Sequence, residues 1–180
     1  MAKYLIFSGI EIGVLIWIIG AIKSKVRHEI TMSVGYFMFI VLCFENFGHI
    51  FPFQYQWVVS VFWLKVLGFT ILGISVVLAL TVFFTMIRLG KPKQGWEETT
   101  QLIDKGVFSL VRHPLYLSGL IASTGVFLTK ISVFSVFIAC ISGILFFLSA
   151  LYEDKWDEEK FGDPYRRYQE NTKMFIPFLY

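Results

Sequence analysis

The sequence predicts an all-α, polytopic membrane protein: about five transmembrane helices, with a cytoplasmic loop and a cytoplasmic C-terminal tail. Three observations predict it. Hydrophobic residues make up 56% of the 180 residues and charged residues 16%, against about 25% charge in a typical soluble domain. The apolar residues gather into five runs. The basic residues collect in alternate connections between those runs. A soluble enzyme, a disordered chain, a collagen and a disulfide scaffold are excluded. Cys43 and Cys140 both lie in apolar runs and read as small core hydrophobes. A net charge of +3 is too small to imply a nucleic-acid partner.

The first run, 5–22, is followed rather than preceded by the basic cluster Lys23, Lys25 and Arg27. It therefore reads as a retained span and not as a cleaved signal. The second run, 30–51, is closed by Pro52. The third, 57–87, is longer than a hydrocarbon core of roughly 30 Å requires, so it tilts or projects beyond it. A polar stretch, 88–112, carries the breakers Gly90, Pro92 and Gly95. The fourth run, 114–128, is short for a full span and pairs naturally with the fifth, 131–151, as a helical hairpin. Residues 153–180 form a charged tail with aromatics. Two regions follow: a three-helix membrane region, 1–88, and a cofactor-binding and catalytic region, 89–180.

Loop charge orients the chain. Lys23, Lys25 and Arg27 lie between runs one and two. Arg88, Lys91, Lys93, Lys105 and Arg112 lie between three and four, and Lys155, Lys160, Arg166, Arg167 and Lys173 lie in the tail. In a five-span chain all of these share one side, and only Lys3 and Lys130 fall on the other. The N-terminus is then outside, and the 88–112 loop and the tail are cytoplasmic.

Those two segments carry the motifs. The loop ends in Gly106-Val107-Phe108 and then Arg112-His113-Pro114-Leu115-Tyr116. The tail runs Glu153-Asp154, then Phe161-Gly162-Asp163-Pro164-Tyr165-Arg166-Arg167-Tyr168, and closes in Ile176-Pro177. Over roughly residues 89–177 this order resembles the integral-membrane methyltransferases that include isoprenylcysteine carboxyl methyltransferase and the phospholipid N-methyltransferases. The resemblance implies S-adenosylmethionine as cofactor and a lipophilic small molecule or lipid as methyl acceptor. It places the cofactor against Thr100, Gln101, Leu102 and Ile103, against Phe108, against His113, Pro114, Leu115 and Tyr116, and against Glu153. His113, Tyr116 and Glu153 are the expected catalytic group. The Phe108 position is usually Tyr in that family.

The chemistry of the residues agrees. Such a cofactor needs an apolar slot, carboxylates and a few donors. Pro114 suits the first turn of a helix, where its missing N–H costs nothing. Arg112 and His113 then stand at that helix's positive end, where an anionic group such as the methionyl carboxylate is expected. Methyl transfer itself asks mainly for alignment and exclusion of water. Asp157, Glu158 and Glu159 read as a solvated face. Tyr165 and Tyr168, three apart, read as one face of an amphipathic helix lying on the membrane.

In the isoprenylcysteine branch an arginine precedes the first acidic residue by four positions. Here that position is Ser149, and Met174 replaces a second basic residue. A carboxylate acceptor in a low-dielectric cleft needs a cationic partner, so an isoprenylcysteine carboxylate is disfavoured. Glu11, Glu45, His49 and Lys65 lie inside apolar runs; Glu11, Glu45 and Lys65 fall at similar depth, His49 shares a helix face with Glu45, and Lys65 is expected to pair with Glu45 or Glu11. Gly68/Gly73 and Gly9/Gly13 are expected to allow close helix approach. No metal-binding spacing, phosphate loop or nucleophile triad is present. Two other readings remain: a sterol-reductase-like NADPH enzyme, and a non-catalytic ion or accessory membrane protein.

Overall fold

The computed structural model describes residues 2–48, 57–92 and 99–177, and the side chains from Gly9 onward except Glu11. The chain is all-α. In order come α1 (Ala2–Ser24), α2 (Arg27–Cys43), a π-helical turn (Phe44–Gly48), β1 (Val58–Val59), α3 (Phe62–Gly90), a short 3-10 turn (Gly106–Ser109), α4 (Pro114–Thr129), β2 (Ile131–Ser132), α5 (Val133–Phe161) and α6 (Asp163–Asn171).

Five long helices thus stand where the five apolar runs were expected. Among the described residues, three stretches are long and apolar enough to cross a membrane: Arg27–Gly48, Phe62–Gly90 and Val133–Phe161. At about 1.5 Å per residue, α4 with its 16 residues reaches about 24 Å, short of a hydrocarbon core. Large apolar side chains along α1, α3 and α5, among them Ile16, Val77 and Phe137, are exposed, which suits a lipid environment.

Packing runs α3 against α4 and α2 against α5, with α4 and α5 touching less. Small residues set the spacing, as they do between membrane helices. A Cβ on Gly68 would stand 2.6 Å from the Gly125 carbonyl oxygen, and one on Gly125 would stand 2.8 Å from that of Gly68. So Gly68 packs against Gly125 of α4. Gly9, Gly13 and Gly73 face open space and make no such approach. Phe146 is fully buried at the centre, its ring filling the spaces left by Gly35 of α2 and Gly119 of α4. Serine hydroxyls bridge the helices: Ser75 donates to Ser118 O at 2.8 Å and Ser142 to Gly35 O at 3.2 Å. Ser149 donates to Thr31 Oγ1 at 2.8 Å, so its place is filled by a helix–helix bond.

At the end of the bundle opposite Arg112 and Glu153, β1 pairs antiparallel with β2, Val58 opposite Ser132 and Val59 opposite Ile131. Ser132 caps α5 by accepting from Ser135 N at 3.0 Å, and Ser135 Oγ accepts from Ser132 N at 2.8 Å. The expected Lys65 pair with Glu45 is overturned. Glu45, 1% exposed, takes Lys130 Nζ at 2.8 Å, while Lys65 is exposed. The π-helical turn that carries Glu45 adds a residue to the local repeat. It turns the carboxylate toward the end of α4, where Lys130 follows. Asn46, next to it, donates to the carbonyls of Val126 and Lys130. His49 and the side chain of Glu11 lie outside the described residues.

The tail does not begin at Glu153. α5 continues unbroken to Phe161. Its apolar stretch ends at Leu151, and residues 152–161 continue the same helix as polar turns. Gly162, at φ +64, ends the helix in a conformation that side chains rarely adopt, and α6 folds back from there.

Candidate functional site

The site is built where α4 begins and α5 ends its apolar stretch. Pro114 occupies the first turn of α4 and His113 precedes it. Residues 111–113 run beside 173–174: Val111 pairs with Lys173, Arg112 N–H donates to Lys173 O at 2.8 Å, and His113 N–H donates to Met174 O at 3.3 Å. The end of the chain is thereby stitched to the start of α4.

Asp154 is the hub. Arg112 meets it through Nε at 3.2 Å and Nη2 at 3.1 Å. His113 Nε2 meets the same carboxylate at 2.7 Å, and the Tyr165 hydroxyl donates to it at 2.6 Å. Arg112 Nη1 donates to the Gln169 and Thr172 carbonyls. The guanidinium's donors are therefore engaged within the protein, where Arg112 ties the start of α4 to α5 and to residues 169–172. The other ring nitrogen of His113, Nδ1, meets Glu153 at 3.1 Å. Tyr116 hydrogen-bonds Glu153 as well and stacks on the imidazole, ring centroids 5.7 Å apart.

Burial alone would push the His113 imidazole down. Its hydrogen bonds to Asp154 and Glu153 more than reverse this and hold it at about 9. It is an imidazolium between two carboxylates at neutral pH. Burial would raise both carboxylates, but the His113 contact holds Glu153 below its ordinary value. His113, with Arg112 and Tyr165, does the same for Asp154.

Beside this cluster opens a cavity of about 430 Å³, within the roughly 300–1,000 Å³ of small-molecule sites. Of the expected residues, Thr100, Leu102, Ile103, Phe108, His113, Pro114, Leu115, Tyr116 and Glu153 line it. Gln101 does not. It is exposed, and its N–H donates to Gly90 O at 3.3 Å, which folds residues 99–101 onto the end of α3.

Several lining residues were not expected. Ser24, Val26, His28, Glu29 and Met32 bring the α1–α2 turn and the start of α2 into the wall. Asp157 lines the cavity too, one turn after Glu153, and is not on a solvated face. Burial, with the charge of Glu153, raises its carboxyl to about 7. Glu158 does face out, paired with Arg166 at 2.7 Å, and Glu159 is exposed. Tyr165 and Tyr168 do not lie on a membrane surface. Both are buried against the site, and the Tyr168 hydroxyl donates to Phe108 O at 2.6 Å. The residues that could hold a ligand are thus an apolar slot facing two carboxylates, Glu153 and Asp157. Among the described residues no group of His, Cys, Asp and Glu could hold a metal ion.

The phospholipid methyltransferase family profile matches residues 63–164, from α3 to the start of α6. Over 93 residues the chain is 32% identical to methanethiol S-methyltransferase of Pseudomonas deceptionensis, a match covering 52% of this chain and 33% of that protein. The chain thus spans about a third of the length of that curated relative. No solved structure matches it. The chain belongs to the phospholipid methyltransferase family.

Proposed function

We propose that this membrane protein transfers a methyl group from S-adenosylmethionine to a lipophilic or lipid-embedded acceptor at the cytoplasmic face. The observation that carries the reading is the cavity: nine of the ten residues expected around the cofactor line it. Its chemistry fits the group. Leu102, Ile103, Phe108 and Leu115 supply the apolar slot for an adenine. Glu153 and Asp157 supply acceptors for ribose hydroxyls and an ammonium. The cofactor supplies a methyl group already activated on a sulfonium. His113 positions Glu153 and neutralises part of its charge, and Tyr116 holds the same carboxylate from the other side. Arg112 and Tyr165 act one step further out by fixing Asp154, which fixes His113. α2, the 99–108 segment and α6 all contribute side chains to the wall around the transfer.

The orientation has its own support. The α1–α2 turn, the 88–112 loop and the tail hold 13 of the 16 Lys and Arg, and these three connections meet around the cavity. The positive-inside bias supports a cytoplasmic site, in a bundle that α1 and α4 would complete as five spans. The relative's name, methanethiol S-methyltransferase, supports a small sulfur acceptor. With Ser149 bonded to Thr31, no arginine waits there for a carboxylate. A reductase reading loses support because the cations of the wall already have protein partners, as a bound dinucleotide would require them free. The accessory-protein reading rested on intramembrane charges, and the bond to Lys130 accounts for one of them, Glu45, as packing.

Calorimetry of S-adenosylmethionine and S-adenosylhomocysteine binding to the detergent-purified protein tests the reading. Binding weakened by both Glu153→Gln and His113→Ala is expected. Absence of binding by folded wild-type protein overturns it.

A further inference from the structure

The cavity contains two histidines in opposite circumstances. His113 has both ring nitrogens engaged by carboxylates and has no free position for a proton in transit. His28, in the first turn of α2, lines the same cavity, and its ring nitrogens make no hydrogen bond to any described residue. Its ring stands edge-on to Trp156, centroids 5.7 Å apart. It faces the carboxylates of α5 from the α2 wall, one helical turn before the apolar Met32.

Each cation of this wall already has protein partners. Arg112 is held by Asp154 and two carbonyls. Lys160 Nζ donates to Thr99 O at 2.7 Å and lies over the Phe161 ring. An anionic acceptor would enter a cavity rimmed by Glu29, Glu153 and Asp157 with no side-chain cation of the wall free to meet it. A neutral acceptor avoids that cost, but a neutral thiol is a poor nucleophile until its proton leaves: a cysteine thiol ionises near about 8.5, and a simple alkanethiol at higher pH still.

Resting on the methyltransferase reading above, we propose that the acceptor enters as a neutral thiol and that His28 takes its proton. The S–H bond breaks and the proton moves to an imidazole nitrogen. The freed electron pair forms the new S–CH3 bond as the methyl–sulfonium bond breaks, its electrons returning to the sulfonium sulfur. A thioether and S-adenosylhomocysteine remain, and the imidazolium releases its proton to solvent. The groups around His28 leave it ready for this. Burial lowers its pKa, and the charges of Glu153 and Glu29 offset this only in part against His113 and Lys160. It is therefore unprotonated at neutral pH.

The test uses the full chain in detergent with S-adenosylmethionine and alkanethiols of one to six carbons, beside amines and carboxylic acids of the same lengths. Thiols should be methylated in preference. His28→Gln should lower kcat/KM at pH 7 by at least about 100-fold, within the 10²–10⁴ that a general base supplies. The loss should shrink as pH rises and a growing fraction of the thiol ionises unaided, and S-adenosylhomocysteine affinity should be retained. An independent readout is the carbon-13 titration of the His28 ring in the S-adenosylhomocysteine complex, expected below pH 6.5. Methylation of amines or acids with thiols refused overturns the acceptor class. Full His28→Gln activity with an unchanged pH profile, or a His28 ring protonated at pH 7, overturns its role. Failure of wild type to bind S-adenosylhomocysteine instead removes the reading beneath both.

Discussion

Asp154→Asn should be the most informative single substitution in this protein. The carboxylate is 9% exposed and receives Arg112 at two points, His113 Nε2 and the Tyr165 hydroxyl. An amide cannot balance a guanidinium and an imidazolium, and removing one partner of such a buried network costs roughly 3–5 kcal/mol. Part of that cost depends on pH. His113 rises from 6.5 to about 9 on folding, worth about 3 kcal/mol at ~1.4 kcal/mol per pKa unit. Because the folded value is the higher one, this stabilisation is fully present below about pH 6.5 and is lost as pH rises through about 9. Between pH 7 and 9.5 about 2 kcal/mol should disappear. The other shifted groups of the site act elsewhere: Asp157 below about 7, the lowered His28, Glu153 and Asp154 at more acid pH, and the raised Tyr165 above its usual value of 10. Reversible unfolding in mixed micelles, scanned over pH 7–9.5, reads the difference. Wild type should lose stability across the scan, and Asp154→Asn should be lower at pH 7 and less steep, since Glu153 still holds part of the His113 shift. Parallel curves for the two proteins would refute the ion network.

Three further outcomes follow from the same geometry. Lys130→Met strands the buried Glu45 and should cost roughly 3–5 kcal/mol, whereas Lys65→Met, on an exposed face, should be near neutral; thermal unfolding in detergent separates them. Gly125→Ala drives a methyl into the Gly68 carbonyl. Backbone there cannot swing aside, so about 1–3 kcal/mol of overpacking should appear as a lower unfolding midpoint. Asp157 gains its charge as pH rises through about 7, so S-adenosylmethionine should bind more tightly at pH 8 than at pH 6. Asp157→Asn should flatten that dependence in calorimetry.

The helices were legible because hydropathy reports burial in lipid or core without needing a partner. The same holds for the Arg112-His113-Pro114 segment, whose proline marks a helix start on local grounds alone. What escaped the sequence depended on phase or distance. The π-helical turn breaks the 3.6-residue repeat at Phe44, so Glu45 points where an ideal helix would not send it, and its partner Lys130 lies 85 residues away. Asp157 looked solvated because it sits among charges. A signal was nevertheless present: Glu153, Asp157, Lys160 and Phe161 are spaced i, i+4, i+7 and i+8, one face of a helix, and all line the cavity. Tyr165 and Tyr168 did share a face, but that face turned toward Asp154 and Phe108 because Gly162 reverses the chain. His28 follows a basic cluster and carried no local mark at all.

The cavity wall divides along the same line as the family match. Glu153, Asp157, Phe108 and the start of α4 fall within residues 63–164, and they form the side proposed to hold the cofactor. Val26, His28 and Met32 fall outside it, on the side proposed for the acceptor. A cofactor common to a family constrains its wall, whereas acceptors differ, so the α2 wall is where specificity belongs. Met32→Leu tests this with a change that conserves volume and costs less than about 1.5 kcal/mol. Met32 is buried at 3% exposure against Tyr116 and Phe146, so the branched side chain alters the shape of that wall and removes no hydrogen-bond partner of the α5 carboxylates. The expected result is a changed KM order among alkanethiols of different length at unchanged S-adenosylhomocysteine affinity, with Glu153→Gln giving the reverse pattern. Equal loss of both affinities in either variant would mean that the cavity is one undivided site and that the acceptor shares the cofactor's wall.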